Sequence, residues 1–174
     1  MNPLQQCLHD VKQAINEPSD AWRLAGLATI DQHGHPQVRQ VVLREVNTEA
    51  AHILVYTDRR SQKVFELQQQ PVCSLLLWCP TRQQQLRLSC RAGILKEHAI
   101  HWAKIEGRHS VNDYASIPAP GEDLLAPLQF DQANARDHFV VLVLQVLEID
   151  RLWLSRKGHR RQRLSADGEY EIAP

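Results

Sequence analysis

The sequence lacks the short motifs that mark the commonest nucleotide-binding and hydrolytic sites. Its 174 residues contain no G-x-S-x-G, no G-x-x-x-x-G-K and no G-x-G-x-x-G pattern. An α/β-hydrolase elbow, a P-loop and a Rossmann dinucleotide site are therefore unsupported. Glycine is scarce at seven residues and proline stands at nine, so the chain is not of low complexity.

An excess of charge of one sign and long apolar runs are also absent. Lysine plus arginine number 20, and aspartate plus glutamate number 20, which gives a formal net charge of zero. This balance disfavours a general attraction to nucleic acid or anionic lipid, and it leaves room for a local cationic pocket. No stretch approaches the roughly 18 apolar residues of a membrane span, and the N-terminus contains no apolar secretory core. We expect no nucleic-acid partner and no membrane association.

Cysteine is present without any disulfide or metal-binding pattern. The four cysteines are Cys7, Cys73, Cys79 and Cys90, and no two form a C-x-x-C pair. Three of them lie in apolar runs, where cysteine behaves as a small buried hydrophobe. This usage is typical of a reducing compartment rather than of a disulfide framework. We therefore predict a cytoplasmic protein.

Apolar residues make up 43% of the chain, which is enough for one well-filled core. No internal repeat or linker divides the sequence, so we predict a single domain over 1–174. Apolar residues spaced by four, three and four positions predict an N-terminal helix over 3–16. Shorter helices are predicted over 61–69 and 97–106, and 107–135 is expected to be rich in loops.

Most of the remaining chain has the patterns of β-strands. The predicted strands are 22–30, 37–45, 52–57, 72–78, 85–90, 140–149 and a short 152–154, with 170–172 expected to end the sheet. Residues 72–78 form a nearly continuous apolar run, which predicts a central strand buried on both faces. Residues 85–90 alternate between polar and apolar, which predicts one buried and one polar face.

The connections between these strands determine the expected architecture. Most of them are too short for parallel crossovers, so the sheet should be mainly antiparallel. Closure into a barrel would remove exposed sheet edges. The sequence therefore predicts a mainly β protein with short helices, of the α+β class, built on a closed or partly closed barrel of six to seven strands.

Polar side chains on strands that otherwise resemble core mark a candidate site. Arg39, Gln85 and Arg87 lie within predicted strands, Lys63 begins a predicted helix, and Arg163 ends a basic run. A flavin mononucleotide requires such a set, because its phosphate binds Arg, Lys and helix N-terminal N–H groups. Its ring requires hydrogen bonds along one polar edge and apolar walls elsewhere. From the residues alone, a solvent-facing charge is the commoner explanation for each position, and that alternative stays open.

Two pairs of histidines are the candidate metal ligands. His98 and His101 are three residues apart on a predicted helix, and His33 and His35 flank a turn glycine. No third ligand lies at a spacing typical of a metal centre. We therefore expect solvated histidines and no metal site.

The ordered series of polar and apolar segments resembles the pyridoxamine-5′-phosphate oxidase family. Residues 39–44 resemble that family's R-x-V-L-L-K strand, and 56–63 resemble its Y-T-x-x-x-S-R-K segment at the same internal spacing. Residues 67–78 are similar to its E-L-x-x-N-P-x-x-x-L-L-F-x-W stretch. Residues 82–88 are similar to R-Q-V-R-V. Each motif is weak alone, and the ordered series, which covers most of residues 20–174, is more specific.

The C-terminal part of the chain extends this resemblance. Trp153 and Arg163 are ten residues apart, as in the family's terminal W-to-R spacing. The stretches 114–121 and 139–142 are more similar to a divergent branch, the Alr4036-type FMN-binding proteins of cyanobacteria, whose substrates are unassigned. The resemblance thus implies an FMN-binding split β-barrel, with this branch as the expected position within the superfamily.

The resemblance implies a six-stranded barrel that forms a homodimer, with each FMN in a cleft between two subunits. The implied cofactor-binding residues are Arg39, Val41, Val42, Leu43, Arg44, Tyr56, Thr57, Ser61, Gln62, Lys63, Gln85, Trp153 and Arg163. Arg39 and Lys63 would bind the phosphate, and Gln85 would hydrogen-bond the ring. Trp153 and Arg163 would come from the other subunit.

The sequence departs from the family pattern at positions that concern both phosphate groups. Gln62 stands where the family has Arg, which removes one cation from the cofactor site. Arg44 replaces the Lys expected at the substrate phosphate, and His159 and Arg161 occupy the R-x-H substrate motif in altered form. Arg44, His159 and Arg161 are therefore the candidate substrate residues, and the flavin site matches the family better than the substrate site.

Three functions follow from these observations. The first is an FMN-dependent oxidoreductase with an unassigned small-molecule substrate, within which pyridoxamine 5′-phosphate oxidase activity is the minor option. The second is a barrel that binds FMN, or haem, without turnover. The third is a structural dimer that has lost its cofactor, which the Gln62 departure makes conceivable. No catalytic residue is predicted, because FMN itself exchanges the hydride.

Overall fold

The computed structural model describes all 174 residues. The helices are α1 (Pro3–Asn16), α2 (Gln62–Gln69), α3 (Ala99–Ala103) and α4 (Ala135–His138), with 3-10 turns at Ala21–Arg23 and His109–Tyr114. The strands are β1 (Leu24–Ile30), β2 (Pro36–Asn47), β3 (His52–Asp58), β4 (Val72–Cys79), β5 (Gln84–Ile94), β6 (Phe139–Trp153), β7 (Arg160–Leu164) and β8 (Glu169–Ile172).

Six of the eight strands close into an antiparallel barrel. The sheet order is β3-β2-β1-β4-β5-β6-β7-β8, and an additional pairing of β3 with β6 closes the first six strands of this order. Closure is possible because β6 is 15 residues long and divides its pairing: its first half lies beside β3 and its second half beside β7. The hairpin of β7 and β8 thus extends from the barrel as two extra strands.

The barrel interior is the main hydrophobic core. Alternate residues of every barrel strand face inward, and Leu27, Leu43, Leu75, Leu88 and Ile149 are all at most 2% exposed. Truncating one such leucine to alanine costs about 2–5 kcal/mol. The apolar face of α1 packs against β2 and joins the same core.

A second, smaller core lies on the outer side of β3 and β6. There the segment between β5 and β6 folds back and packs Trp102, Tyr114 and Ala115 against Phe139 and Val141. Tyr114, Trp102 and Tyr56 all meet the Phe139 ring edge-on, with centroids 5.2–5.4 Å apart. This cluster fixes the loop-rich segment against the barrel, next to the ends of β2 and β3.

The predicted architecture is confirmed in its main features. The N-terminal helix has the predicted bounds and begins at an Asn2 capping box. The sheet is antiparallel, the barrel is of the split type, and all four cysteines are free and buried. None of the helices has the length and apolar character that a membrane crossing needs.

The prediction that residues 72–78 are buried on both faces is wrong. In β4 the side chains alternate, and Val72, Leu76 and Trp78 are 54%, 46% and 38% exposed. A continuous apolar run cannot reveal this, because an apolar residue has the same appearance in the sequence whether its side chain lies in the core or on an exposed face. The apolar outer face of β4 is therefore left without cover within one chain.

Other boundaries differ because tertiary pairing overrides local signals. The helix predicted over 97–106 is a single short α3, and 107–135 contains a 3-10 turn. The two strands predicted at 140–149 and 152–154 are one continuous β6. The basic run near the C-terminus, for which no strand was predicted, includes β7, whose pairing with β6 and β8 is not visible in its composition.

Candidate functional site

The start of α2 brings two predicted cofactor residues against the barrel. Lys63 Nζ donates to Thr57 Oγ1 at 2.9 Å and forms no ion pair with any carboxylate. Burial and the nearby Arg39 charge lower the pKa of Lys63. A half-buried ammonium beside a second cation, with only a hydroxyl as partner, is the arrangement expected where an anion is bound.

The helix terminus itself adds to this positive potential. Ser61 occupies the N-cap position and is buried, but its side chain makes no capping hydrogen bond, and its hydroxyl donates instead to the Asp58 carbonyl at 2.7 Å. The first N–H groups of a helix have no partner within the helix and carry partial positive charge. Gln62, the first helical residue, is exposed there. The α2 start can therefore receive an anion on backbone N–H groups as well as on Lys63.

Arg39 lies beside Lys63 but is held by other residues. Its Nη2 donates to Glu66 Oε2 at 2.9 Å, and its Nη1 donates to Thr29 Oγ1. Thr29 in turn donates to the same Glu66 oxygen at 2.5 Å. Sequence patterns identified Arg39 and missed the two residues that orient it, because both belong to other elements.

A β-bulge aims two consecutive side chains outward at the end of β2. Leu43 lies opposite Val55 and Glu45 opposite Leu54, so Arg44 is the extra residue. The Arg44 guanidinium lies over the Tyr56 ring, 5.7 Å from its centroid, and its buried Nε has no hydrogen-bond partner. A buried donor without a partner is costly and marks a place where a bound group would complete the structure.

Arg44 and Lys63 line one pocket of about 250 Å³, and Arg39 lies next to it without forming part of its wall. Its walls are Gln40, Val41, Val42, Arg44, Tyr56, Thr57, Asp58, Lys63, Asp113, Tyr114 and Pro120. The predicted Leu43 is not part of these walls, since its side chain lies in the barrel core. The volume is below the roughly 300–1,000 Å³ of typical ligand sites, so one chain supplies only part of a flavin-sized cavity.

A polar cluster that no sequence pattern indicated stands behind this pocket. Glu45 Oε1 accepts from the Tyr56 hydroxyl at 2.5 Å and from Lys104 Nζ at 2.7 Å, and lies 2.8 Å from His101 Nδ1. Burial and the Glu45 carboxylate raise the pKa of Tyr56, and the three partners hold the pKa of Glu45 below its usual value. Glu45 and His101 also line a neighbouring cavity of about 580 Å³.

Of the two histidines predicted as a pair on one helix, only His101 joins this cluster. His98 precedes α3 and meets the Phe139 ring edge-on at 5.4 Å. His101 is 56 residues from Glu45, which is why no local pattern connects them. No group of three or more His, Cys, Asp or Glu side chains is placed to hold a metal ion.

The remaining predicted residues lie on a different part of the sheet. Gln85 in β5 faces outward and is paired with Trp78 and Leu152. Trp153 ends β6, where its ring is covered by the Arg151 and Arg160 guanidiniums at 4.5 and 5.1 Å. Neither lines the pocket beside Lys63.

Arg161 and Arg163 of β7 and the nearby His159 are also outside that pocket, and the charges of the two arginines are paired. Arg161 donates to Asp150 at 2.6 and 2.9 Å, and Arg87 reaches the same carboxylate at 2.5 Å. Arg163 lies 3.4 Å from Glu148. His159 is exposed in the β6–β7 hairpin, where its Nδ1 accepts from the Ser155 N–H at 3.1 Å. Within one chain, the predicted site is thus divided into two groups.

The first group fits FMN by its own chemistry. A phosphate would meet Lys63, the α2 start and the adjacent Arg39, which together supply positive charge and N–H donors. The partnerless Arg44 Nε and the apolar Val42 suit a planar, partly polar ring. Gln62 does not remove this fit, because Lys63 and the helix terminus are still present.

Comparison with known proteins identifies the family. A sequence model described as pyridoxamine 5′-phosphate oxidase, FMN-binding domain, matches residues 1–96, more than half of the chain. The chain belongs to this family. The pyridoxine/pyridoxamine 5′-phosphate oxidase of Neisseria gonorrhoeae is 28% identical over 96 residues, which is 55% of this chain and 45% of that protein. The match therefore spans less than half the length of this curated relative.

Solved structures share the fold over nearly the whole chain. A pyridoxamine 5′-phosphate oxidase-related, FMN binding protein from Nostoc punctiforme has a TM-score of 0.79 at 19% identity, covering 100% of this chain and 99% of that one. PhzG from Burkholderia lata, in complex with tetrahydrophenazine-1-carboxylic acid, has a TM-score of 0.77 at 20% identity, with 99% and 93% covered. At these identities the likeness shows the split-barrel fold, and membership of the Alr4036-type branch stays a prediction.

Proposed function

We propose that this protein binds FMN and acts as an FMN-dependent oxidoreductase on a small molecule. The observation that carries the proposal is the half-buried Lys63 without a carboxylate partner, beside the start of α2 and Arg39. Family membership supports the same cofactor. The fold alone would not, since one barrel architecture supports several functions.

The residues at and beside the pocket have distinct roles in this proposal. Lys63, Arg39 and the N–H groups at the start of α2 bind the phosphate. Val42 and Tyr56, with the backbone of Val41, form the wall against the ring, and Arg44 offers its unpartnered Nε to it. Bound FMN would supply hydride acceptor and donor chemistry. The chain's own task is then to orient the substrate and to exclude water.

We further propose that two subunits complete the site. The pocket of one chain is small, and the outer faces of β1, β2 and β4 expose Leu24, Val38, Leu76 and Trp78 side by side. Contiguous exposed apolar surface of this kind favours a partner. A second copy covering this face would allow Gln85, Trp153 and Arg163 to contact FMN, as the family resemblance implies.

The cofactor is tested by a visible absorption spectrum before and after FMN is added and the excess is removed. We expect a two-banded flavin spectrum that stays with the protein. A spectrum that stays blank after loading would overturn the proposal and favour a structural dimer, and a Soret band would indicate haem instead. A retained flavin without reduction by any donor would support the non-catalytic alternative.

The substrate is a separate question. We expect poor turnover of pyridoxamine 5′-phosphate, because His159 and Arg161 differ from the Arg and His of the family's R-x-H substrate motif. The measurement is peroxide release by the FMN-loaded protein in air. Robust peroxide release with this amine would contradict the expectation and assign vitamin B6 oxidation to the protein.

A further inference from the structure

Glu66 is a buried carboxylate that no predicted role explains. It lies in α2, is 3% exposed, and accepts two hydrogen bonds on one oxygen, Oε2, from Thr29 and Arg39. Its other oxygen is buried without a partner. A charge this deep in a protein is expensive unless it is paired, so its position requires an explanation.

The three side chains form a closed ring of hydrogen bonds. Arg39 Nη1 donates to Thr29, Thr29 donates to Glu66, and Glu66 accepts from Arg39 Nη2. A guanidinium has five N–H donors in a planar fork, and this ring uses one on each terminal nitrogen. The fork is thereby held in one plane, and its remaining donors are left for another acceptor.

The location of this ring connects it to the phosphate pocket. Glu66 is three residues after Lys63 in α2, so both lie on the same side of the helix. Arg39 contacts Glu66 at 2.9 Å, which places its guanidinium beside this side of α2, and its charge helps to lower the pKa of Lys63. Arg39 and Lys63 therefore present two cations to one region, and only Arg39 is fixed by a carboxylate.

We propose that Glu66, with Thr29, is a positioning residue that fixes the Arg39 guanidinium for the phosphate of FMN. The inference rests on the proposed function and deepens it by assigning the source of phosphate selectivity. An arginine side chain loses conformational entropy when it becomes fixed by a ligand. A guanidinium that is already held in place loses less entropy on binding, which favours affinity.

The negative charge of Glu66 acts in the opposite direction, because it repels a phosphate. The geometry favours the positioning effect, since Arg39 is held by two partners in one plane and the carboxylate is already neutralised by the arginine. If repulsion dominated, removal of the charge would strengthen FMN binding. The two effects thus predict opposite signs for the same substitution.

The test compares FMN with riboflavin, which has the same ring and lacks the phosphate. For Glu66→Gln we expect the FMN dissociation constant to rise about tenfold, the scale of one charge-assisted hydrogen bond. The riboflavin constant should stay within about twofold, because the ring contacts are unchanged. Fluorescence titration gives both constants, and Gln68→Ala, an exposed position of the same helix, is the matched control.

A double variant shows whether the effect passes through Arg39. Glu66→Gln should not weaken FMN binding further when Arg39→Ala is already present, because two residues of one network are not additive. Thr29→Val removes only the hydroxyl of the ring and should raise the FMN constant about threefold, a smaller share of the same effect. It is the second variant should Glu66→Gln fold poorly.

Each other outcome overturns the inference. Tighter FMN binding by Glu66→Gln would make Glu66 a counter-charge, and equal losses for FMN and riboflavin would make it a purely structural residue. An unchanged FMN-to-riboflavin ratio, with wild-type protein binding FMN, refutes this inference and leaves the proposed function standing. Wild-type protein that binds neither ligand refutes the proposed function, and this inference with it.

Discussion

The pocket at α2 and the outer face of β5, β6 and β7 both contain basic side chains, which lack carboxylate partners in the pocket and have them on the sheet face. At α2, Lys63 has a hydroxyl as its only partner, and Arg44 has a buried Nε with none. On the β5–β7 face, Arg87 and Arg161 share Asp150, and Arg163 lies beside Glu148.

The difference teaches how basic residues should be interpreted in this fold. A cation left without a counter-ion in a concave, half-buried place, such as Lys63, is available to a ligand. A cation paired within its own chain is a weaker candidate, unless it lies beside such an unpaired cation, as Arg39 does. The basic run near the C-terminus is denser in charge than the α2 region. It is nevertheless the weaker candidate within one chain, because Arg160, Arg161 and Arg163 are paired with carboxylates and the remaining cations, Arg156 and Lys157, are exposed.

The largest effect is expected at Arg39, which is proposed to bind the phosphate and also forms an ion pair with the buried Glu66. Arg39→Ala should weaken FMN binding by about 1.5–3 kcal/mol, the scale of a charge-assisted hydrogen bond. It should also lower the free energy of unfolding, because Glu66 would be left buried without its cation. Titration with FMN and urea unfolding measure the two effects. An unchanged FMN titration would remove Arg39 from the site.

Substitution of Lys63 should weaken FMN binding and leave the stability of the FMN-free protein almost unchanged. Burial lowers the pKa of Lys63 in the folded protein below its ordinary 10.5, so its charged form is disfavoured until a phosphate is bound. Protein stability should therefore rise slightly, and FMN affinity should fall, as pH increases through that lowered pKa. Lys63→Met should weaken FMN binding about tenfold and abolish this pH dependence.

Riboflavin is the control for this pH dependence, because its ring has the same titrating groups as the ring of FMN and it lacks the phosphate. Burial raises the pKa of Tyr114 to about 12, and burial with Glu45 raises the pKa of Tyr56 further, so neither phenol loses its proton in this range. The pH dependence of the ratio of FMN to riboflavin affinity therefore reports the protonation of Lys63. A ratio that stays constant with pH in the wild type would contradict the assignment.

The smallest effect is expected on the β5–β7 face and depends on assembly. The protein should sediment as a dimer. Arg163→Ala should weaken FMN binding by the dimer about threefold. The free energy of unfolding should stay the same, since an exposed ion pair such as Arg163–Glu148 contributes little to stability. Arg161→Ala is the matched control, because Arg161 is held by Asp150. A monomer with tight FMN, or equal effects of both variants, would leave this face with a structural role only.

The sequence by itself determined the elements and the residue types of the site. Helix α1, the alternation of β5 and the segments around Arg39 and Lys63 all follow from patterns within about ten residues. The family could be inferred because such short segments recur in order along the chain. Sequence patterns could not separate the two groups of cations, since pairing depends on neighbours in the sheet.

Only the tertiary structure decided which polar groups meet. Glu66 is 27 residues from Arg39, and His101 is 56 residues from Glu45. Closure of β3 onto β6 and the bulge at Arg44 bring such distant positions into contact. The exposure of Leu76 and Trp78 was equally invisible, because an apolar side chain looks the same in sequence whether its own core or a second subunit covers it. Local propensity acts over a few residues, whereas burial and ion pairing are properties of the closed barrel.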